Sequence, residues 1–123
     1  MEKQEILKEL GNFSGTENYY KSSFGSLSLT DGMQYLREAL NCYWLIDIVE
    51  SVQHLPKIKE NSDFILWRII VNKDKSFLVE AFRDMPYNAD NLLYSQKAEY
   101  TDFKLEGYEF YQCKDVLLLK GEY

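Results

Sequence analysis

The sequence predicts one α+β domain, in which two or three N-terminal helices pack on one face of a C-terminal antiparallel sheet of about four to five strands. The chain has 123 residues, close to the commonest size of a single domain, and 46% of them are hydrophobic, which suffices for one core. Apolar residues recur at helical spacing as far as Pro56, whereas from Asp63 onward they alternate as they do in strands. Because no repeat, low-complexity tract or linker interrupts residues 1–123, we expect a single domain.

A short amphipathic helix is predicted over about residues 2–10, because apolar residues recur there at helical spacing and Gly11-Asn12 supplies a stop signal. Residues 13–29 are rich in Ser, Gly, Thr and Tyr and have no sustained period. We therefore expect mostly coil in this segment, although Tyr19-Tyr20 and the alternation of Phe24, Leu27 and Leu29 could each form a short strand or an ordered loop.

Two further helical runs follow. Asp31 as N-cap with Gln34 three residues later forms a capping-box pattern, which predicts the start of the second helix. A third run, over about residues 42–55, keeps its apolar residues on one face. We expect Pro56 to end it, because the residue before a proline disfavours the helical conformation. The two runs form either separate helices or one long helix with a break near Asn41.

The second half of the chain predicts the strands. Both alternating sets of side chains in residues 64–71 are largely apolar, which is typical of a central strand. Residues 72–75 supply a short turn, so the next strand, over about residues 76–83, is expected to complete a hairpin. A loop is expected over residues 85–91, and three more strand candidates follow it: Leu92 to Tyr100, Tyr108 to Cys113 and Val116 to Lys120.

The charge and aromatic content favour a protein partner. The net charge is −6 and the pI is about 4.8, which disfavours direct nucleic-acid binding because that affinity comes from Lys and Arg. An acidic surface is instead matched to a basic partner, with plain solubility as the simpler explanation. Aromatic residues make up 15% of the chain, and their polar-tipped rings suit interfaces as well as cores.

The cysteine content and the N-terminus favour a cytoplasmic location. Cys42 and Cys113 are too few for a disulfide scaffold and lie in apolar runs, where a thiol behaves as a small hydrophobe. The first residues lack the basic start and apolar stretch of a signal peptide, and no apolar run is long enough to span a membrane.

The residues that cofactor, metal and thiol chemistry require are sparse. The six glycines are dispersed and none precedes Lys-Ser or Lys-Thr, so a phosphate-binding loop is not expected. One His and two Cys are too few for a structural zinc site, and we expect no cofactor. Cys42 and His54 are twelve residues apart, which on one straight helix separates them by about 18 Å, too far for a catalytic pair.

One set of helix residues and two acid pairs remain as candidates for an enzyme. Asp47, Glu50 and His54 have the spacing of one helix face, which suits a divalent cation or proton transfer, although a solvated polar face has the same spacing. Two pairs of acids, Glu99 with Asp102 and Glu106 with Glu109, could act as the paired carboxylates of a hydrolase. Acid pairs are common in solvated loops, however, and nothing in the sequence indicates that these are desolvated.

The sequence also resembles a family of small uncharacterised bacterial, plasmid and phage proteins known only as a domain of unknown function. The stretches that carry the resemblance are Phe13-Ser14-Gly15-Thr16-Glu17, Tyr19-Tyr20, Thr30-Asp31-Gly32, Tyr43-Trp44-Leu45-Ile46-Asp47 with Ser51, Phe64 with Trp67, Tyr100-Thr101-Asp102-Phe103 with Leu105, Leu117-Leu118-Leu119 and Glu122-Tyr123. They cover nearly the whole chain in order. The resemblance implies no activity; it implies a setting among mobile-element accessory proteins, which include inhibitors of host defence.

These observations lead to one expectation and two alternatives. We expect a non-enzymatic phage or mobile-element protein that binds and inhibits a host nucleic-acid-handling protein or ribonucleoprotein, such as a CRISPR effector nuclease, as an anti-CRISPR protein does. The alternatives are an enzyme that uses the Asp47, Glu50 and His54 face, and a homo-oligomeric structural module. The candidate partner-binding residues are Glu99, Asp102, Glu106, Glu109, Tyr108 and Tyr111.

Overall fold

A computed structural model describes residues 2–123 as an α+β structure with four helices and seven strands. The helices are α1 (Lys3–Leu10), α2 (Asp31–Ala39), α3 (Tyr43–Ser51) and α4 (Pro56–Glu60). The strands are β1 (Tyr20–Lys21), β2 (Ser28–Leu29), β3 (Ile65–Val71), β4 (Phe77–Phe82), β5 (Leu92–Ala98), β6 (Gly107–Cys113) and β7 (Val116–Leu119), and a 3₁₀ turn follows at Lys120–Glu122. Among residues 2–123, no helix combines the length and the apolarity that crossing a bilayer requires.

The sheet is larger than predicted and is mixed, with the strand order β1-β2-β7-β6-β3-β4-β5. The prediction of four to five antiparallel strands omitted β1 and β2, which lie in the segment expected to be mostly coil. These strands have two residues each, and β2 pairs in parallel with β7. Strand β6 pairs with β3 and not with β5, so the C-terminal half is not a simple meander.

The helices cover one face of the sheet. All four contribute buried residues to one cluster, which includes Trp67 of β3 and Phe110 of β6, whose rings stack with centroids 6.5 Å apart. Leu66 and Phe82 are also buried but lie outside this cluster, because neighbouring residues of a strand point to opposite faces. On that opposite face the Tyr87 ring packs against Phe82 with centroids 4.8 Å apart.

The boundary between α3 and α4 corrects the prediction for Pro56. Helix α3 ends at Ser51, and Pro56 begins α4 instead of ending a long helix. Leu55 has extended backbone angles, as a residue before proline prefers, and it serves as the N-cap of α4. A proline is well suited to the first helical position, because the N–H that it lacks would have no partner inside the helix there.

The start of α2 also differs from the prediction. Thr30, not Asp31, is the N-cap, and its hydroxyl accepts a hydrogen bond from the Met33 amide at 3.3 Å. Gln34 does not complete a capping box, because its side chain bonds to Arg37 and Glu38. Asp31 is thereby free to bond outside its own helix.

Candidate functional site

The structure distributes the candidate residues chosen from the sequence over several surfaces. Tyr108 faces the helices and packs against the core, whereas Tyr111, three residues later, points to the opposite face of the sheet. Glu106 forms an ion pair with Lys3 at 3.2 Å, and Glu109 forms one with Lys120.

The remaining candidates lie elsewhere. Glu99 and Asp102 are exposed in the segment that follows β5. The Tyr111 ring is half-buried in an aromatic group with Phe64 and Tyr123, at centroid distances of 4.9 and 5.3 Å. The six residues therefore do not form one acidic, aromatic surface.

The structure does not place Asp47, Glu50 and His54 on one solvated polar face, which was the simpler interpretation of their spacing. Glu50 is only 7% exposed, and its carboxylate holds the turn that joins β1 to β2. Asp47 is half-buried with a buried Oδ1 that has no hydrogen-bond partner, whereas His54 is exposed. A groove of about 640 Å³ opens beside α1 and the start of β6, and none of these three residues lines it.

The cysteines are placed where a thiolate is disfavoured. Burial raises the pKa of the fully buried Cys42 thiol to about 12, and burial also raises the pKa of Cys113. Both thiols are therefore protonated at neutral pH. Over residues 2–123, no three His, Cys, Asp or Glu side chains are grouped closely enough to hold a metal ion.

The structure instead assembles an acidic and aromatic surface at the N-terminal end of the chain. We call it the acid–tyrosine face; it consists of Glu5 and Glu9 of α1, Tyr20 of β1, and Asp31, Tyr35 and Glu38 of α2. The three α2 residues stand at positions i, i+4 and i+7, which places them on one side of that helix. Helix α1 packs against α2 and supplies two carboxylates at i and i+4.

Asp31 fixes the segment that leads into β1. Its Oδ2 accepts a hydrogen bond from the Glu17 amide at 2.9 Å, and its own amide donates to the Thr16 hydroxyl oxygen at 2.8 Å. The Thr16 hydroxyl in turn donates to the Asn18 carbonyl at 2.6 Å. The hydrogen bond from the Glu17 amide is the main reason that the pKa of Asp31 is lowered, and a bond from Tyr20 adds to it, so this carboxylate is charged at neutral pH.

The two tyrosines of the acid–tyrosine face lie in a field of negative charge. The hydrogen bond from Tyr20 to Asp31 raises the pKa of Tyr20, with smaller effects from burial and from the charges of Asp31 and Glu38. Burial raises the pKa of Tyr35, and the charges of Glu9 and Glu5 add to it. Carboxylates of α2 therefore act on the ring of Tyr20, and carboxylates of α1 act on the ring of Tyr35.

Within residues 2–123, no Lys or Arg nitrogen lies within 4 Å of a carboxylate of this surface. Among residues 2–123, the Lys and Arg side chains within 4 Å of a carboxylate are those of Lys3, Arg68 and Lys120, and each of them pairs with an acid outside the acid–tyrosine face. Arg37, also on α2, is buried, and it bonds to the Lys21 carbonyl at 3.1 Å and to Gln34. The ion pairs formed within residues 2–123 therefore lie outside the acid–tyrosine face.

Comparison with known protein families shows to which family the chain belongs. The profile of a family of unknown function, DUF6876, matches residues 4–123. The chain belongs to DUF6876. No curated protein and no solved structure matches it significantly.

In this DUF6876 member, several polar residues that carry the resemblance have structural roles. The Glu122 carboxylate accepts hydrogen bonds from the Thr30 hydroxyl at 2.6 Å, the Gly32 amide at 3.1 Å and the Leu119 amide at 3.0 Å. The C-terminal turn is thereby bonded to the first turn of α2, where a helix presents unpaired amides.

Only part of the acid–tyrosine face was visible in the sequence. The spacing i, i+4, i+7 of its three α2 residues can be read from the sequence, whereas the contact between α1 and α2 forms only when the chain folds.

Proposed function

We propose that this DUF6876 protein is a non-catalytic accessory protein of a phage or other mobile element, and that it acts by binding a basic host protein through the acid–tyrosine face. The observation that carries the proposal is the grouping of Glu5, Glu9, Asp31 and Glu38 around Tyr20 and Tyr35 without a bound cation among residues 2–123. The proposed binding surface is acidic and aromatic, as we expected from the sequence, but it lies on α1, α2 and β1 and not among the C-terminal acids.

The chemistry of the face specifies a basic protein surface. Uncompensated carboxylates speed encounter with a positively charged partner and repel acidic ones. Tyrosine rings provide contact area, and they are enriched at the centres of protein interfaces. The rings of Tyr20 and Tyr35 are half-buried against the core, and the Phe13 ring packs beside Tyr35 with centroids 5.7 Å apart.

The class of partner follows from where large basic surfaces occur. Proteins that handle nucleic acid line a groove with Lys and Arg that neutralise phosphates. Carboxylates spaced along two helices offer such a groove an alternative set of negative charges. Binding there would exclude the nucleic acid and inhibit the partner, of which a CRISPR effector nuclease is one example.

The test is affinity capture with two charge variants of equal net charge. The wild-type chain, Glu5→Lys/Glu9→Lys/Glu38→Lys and the control Glu60→Lys/Glu99→Lys/Asp102→Lys are immobilised, and proteins recovered from host lysate are quantified by mass spectrometry. All six substituted residues are exposed, so the variants are expected to fold. We expect the wild type and the control to recover the same nucleic-acid-handling protein, and the first variant to lose it.

Two further results complete the test. Added nucleic acid should displace the recovered protein from the wild-type chain, because both compete for one groove. Equal recovery by both triple variants would contradict the assignment of the face, and recovery of no stoichiometric protein by the wild type would contradict the function itself.

A further inference from the structure

The turn that joins β1 to β2, residues 22–27, carries the most exposed large hydrophobic side chain among residues 2–123. Phe24 is 83% exposed, whereas Ser22 and Leu27 at the two ends of the turn are buried. Burying a phenylalanine is strongly favourable in water, so a ring left in solvent contributes almost nothing to the stability of this domain.

The backbone on both sides of Phe24 is nevertheless held firmly, and the group that holds it is Glu50 of α3. The Glu50 carboxylate accepts hydrogen bonds from the Phe24 amide at 3.0 Å, from the Ser26 amide at 2.9 Å, and from the hydroxyls of Ser22 and Ser26. Four donors therefore converge on one buried anion, and such charge-assisted bonds are stronger than neutral ones.

The turn also has its own internal bonds. Ser22 and Leu27 exchange hydrogen bonds across it, from the Ser22 amide to the Leu27 carbonyl and from the Leu27 amide to the Ser22 hydroxyl, both at 3.0 Å. Gly25 adopts a φ of +80°, which glycine tolerates at little cost. The position of Phe24 is thus fixed by groups other than its own ring.

The turn belongs to the hairpin that supplies Tyr20 to the acid–tyrosine face. Tyr20, which belongs to that face, precedes Phe24 by four residues of the same hairpin, a span of roughly 13 Å at most in extended chain. Arg37 connects the hairpin to the helices: its Nη1 donates to the Lys21 carbonyl at 3.1 Å, and its guanidinium lies 4.7 Å from the centroid of the half-exposed Tyr43 ring.

We propose that Phe24 is the apolar anchor of the same interface, and that it inserts into an apolar pocket beside the basic surface of the partner. The inference rests on the proposed function and adds to it a residue and a second recognition element. A rigid, preformed turn lowers the conformational entropy lost on binding, so the ring is delivered at small cost. Aromatic residues that fill a partner pocket commonly dominate the affinity of an interface.

The experiment measures the affinity of three chains for the protein that the wild-type chain recovers: the wild type, Phe24→Ala and the matched control Tyr100→Ala. Tyr100 is a second strongly exposed aromatic, 70% exposed, outside residues 22–27 and outside the acid–tyrosine face. We expect Phe24→Ala to weaken binding about 30-fold, as loss of an interface hot spot does, and Tyr100→Ala to leave it unchanged. Both variants should keep the wild-type melting temperature.

The salt dependence separates the anchor from the charges. Phe24→Ala should leave the dependence of affinity on salt unaltered, because the charges of the acid–tyrosine face remain in place, whereas the charge variant Glu5→Lys/Glu9→Lys/Glu38→Lys should lose binding. If the charge variant loses binding and Phe24→Ala binds within threefold of the wild type, the anchor is wrong and the proposed function stands. If neither variant changes binding, or the wild type recovers no protein, both proposals are wrong.

Discussion

Glu50 is the residue at which burial, charge and loop conformation are most closely linked. Its carboxylate accepts four hydrogen bonds from the turn of residues 22–27, and a glutamine amide in its place would turn an NH₂ group toward some of those donors. We expect Glu50→Gln to lower the free energy of unfolding by about 2 kcal/mol, the usual cost of disrupting buried hydrogen bonds to a charged group. Urea denaturation at pH 7 measures this, with the exposed Glu60→Gln as a control that should stay within about 0.5 kcal/mol of the wild type.

The same substitution has a pH dependence of known sign. Burial alone would raise the pKa of Glu50, but hydrogen bonds from Ser22, Ser26 and the Phe24 amide outweigh it and lower the pKa below the ordinary value of 4.5. A carboxyl whose pKa is lower in the folded state stabilises the protein fully above its unfolded pKa, and the stabilisation is lost as the pH falls through the folded pKa. The difference between wild type and Glu50→Gln should therefore shrink below about pH 4, and a difference that is constant from pH 7 to pH 3 would contradict this account.

At the scale of elements, the strands of the second half were predictable and those of the first half were not. β3 and β4 have alternating apolar side chains on either side of a short turn, so pattern and turn chemistry agree. β1 and β2 have two residues each, too few for any periodicity, and β2 is held by pairing with β7, almost ninety residues later in the chain. A sequence pattern within a few residues carries no information about pairing with a strand so far along the chain.

The first turn of α2 is an element whose sequence is set by tertiary contact. A Cβ on Gly32 would lie 2.5 Å from both Leu119 Cδ1 and Glu122 Oε1, and the buried Leu119 cannot easily move away. Alanine has the higher helix propensity by about 1 kcal/mol, but the overlap exceeds this gain. We expect Gly32→Ala to destabilise the protein by about 1–3 kcal/mol, measured by thermal denaturation.

Gly15→Ala is the matched control for Gly32→Ala. A Cβ at Gly15 would meet no atom within 4 Å, and its backbone angle does not require glycine. Gly15→Ala should be neutral or slightly stabilising. A neutral Gly32→Ala would show that the contact between α2 and the C-terminal turn is looser than these distances indicate.

At the scale of the whole molecule, packing decides which acidic residues lie together. The C-terminal acids are prominent in the sequence, yet Glu106 and Glu109 pair with lysines and the tyrosines near them point to opposite faces. The acid–tyrosine face depends on α1 lying against α2, across twenty residues of intervening chain. Charge that is dispersed along the sequence becomes concentrated only through this packing.

The acid–tyrosine face should also lower the stability of the free protein. Glu9 and Glu38 lie in the last turns of α1 and α2, where the helix dipole disfavours negative charge, and the chain already carries a net charge of −6. We expect Glu9→Gln/Glu38→Gln to raise the free energy of unfolding by about 1 kcal/mol at low salt, with the gain fading by about 0.5 M NaCl as the charges are screened. The exposed pair Glu99→Gln/Asp102→Gln, with the same change in net charge, should show a smaller gain, because neither residue lies in a helix. A loss of stability in the first variant would show that these carboxylates stabilise the free fold, and a gain that persists at high salt would show that their charge is not the cause of the lower stability.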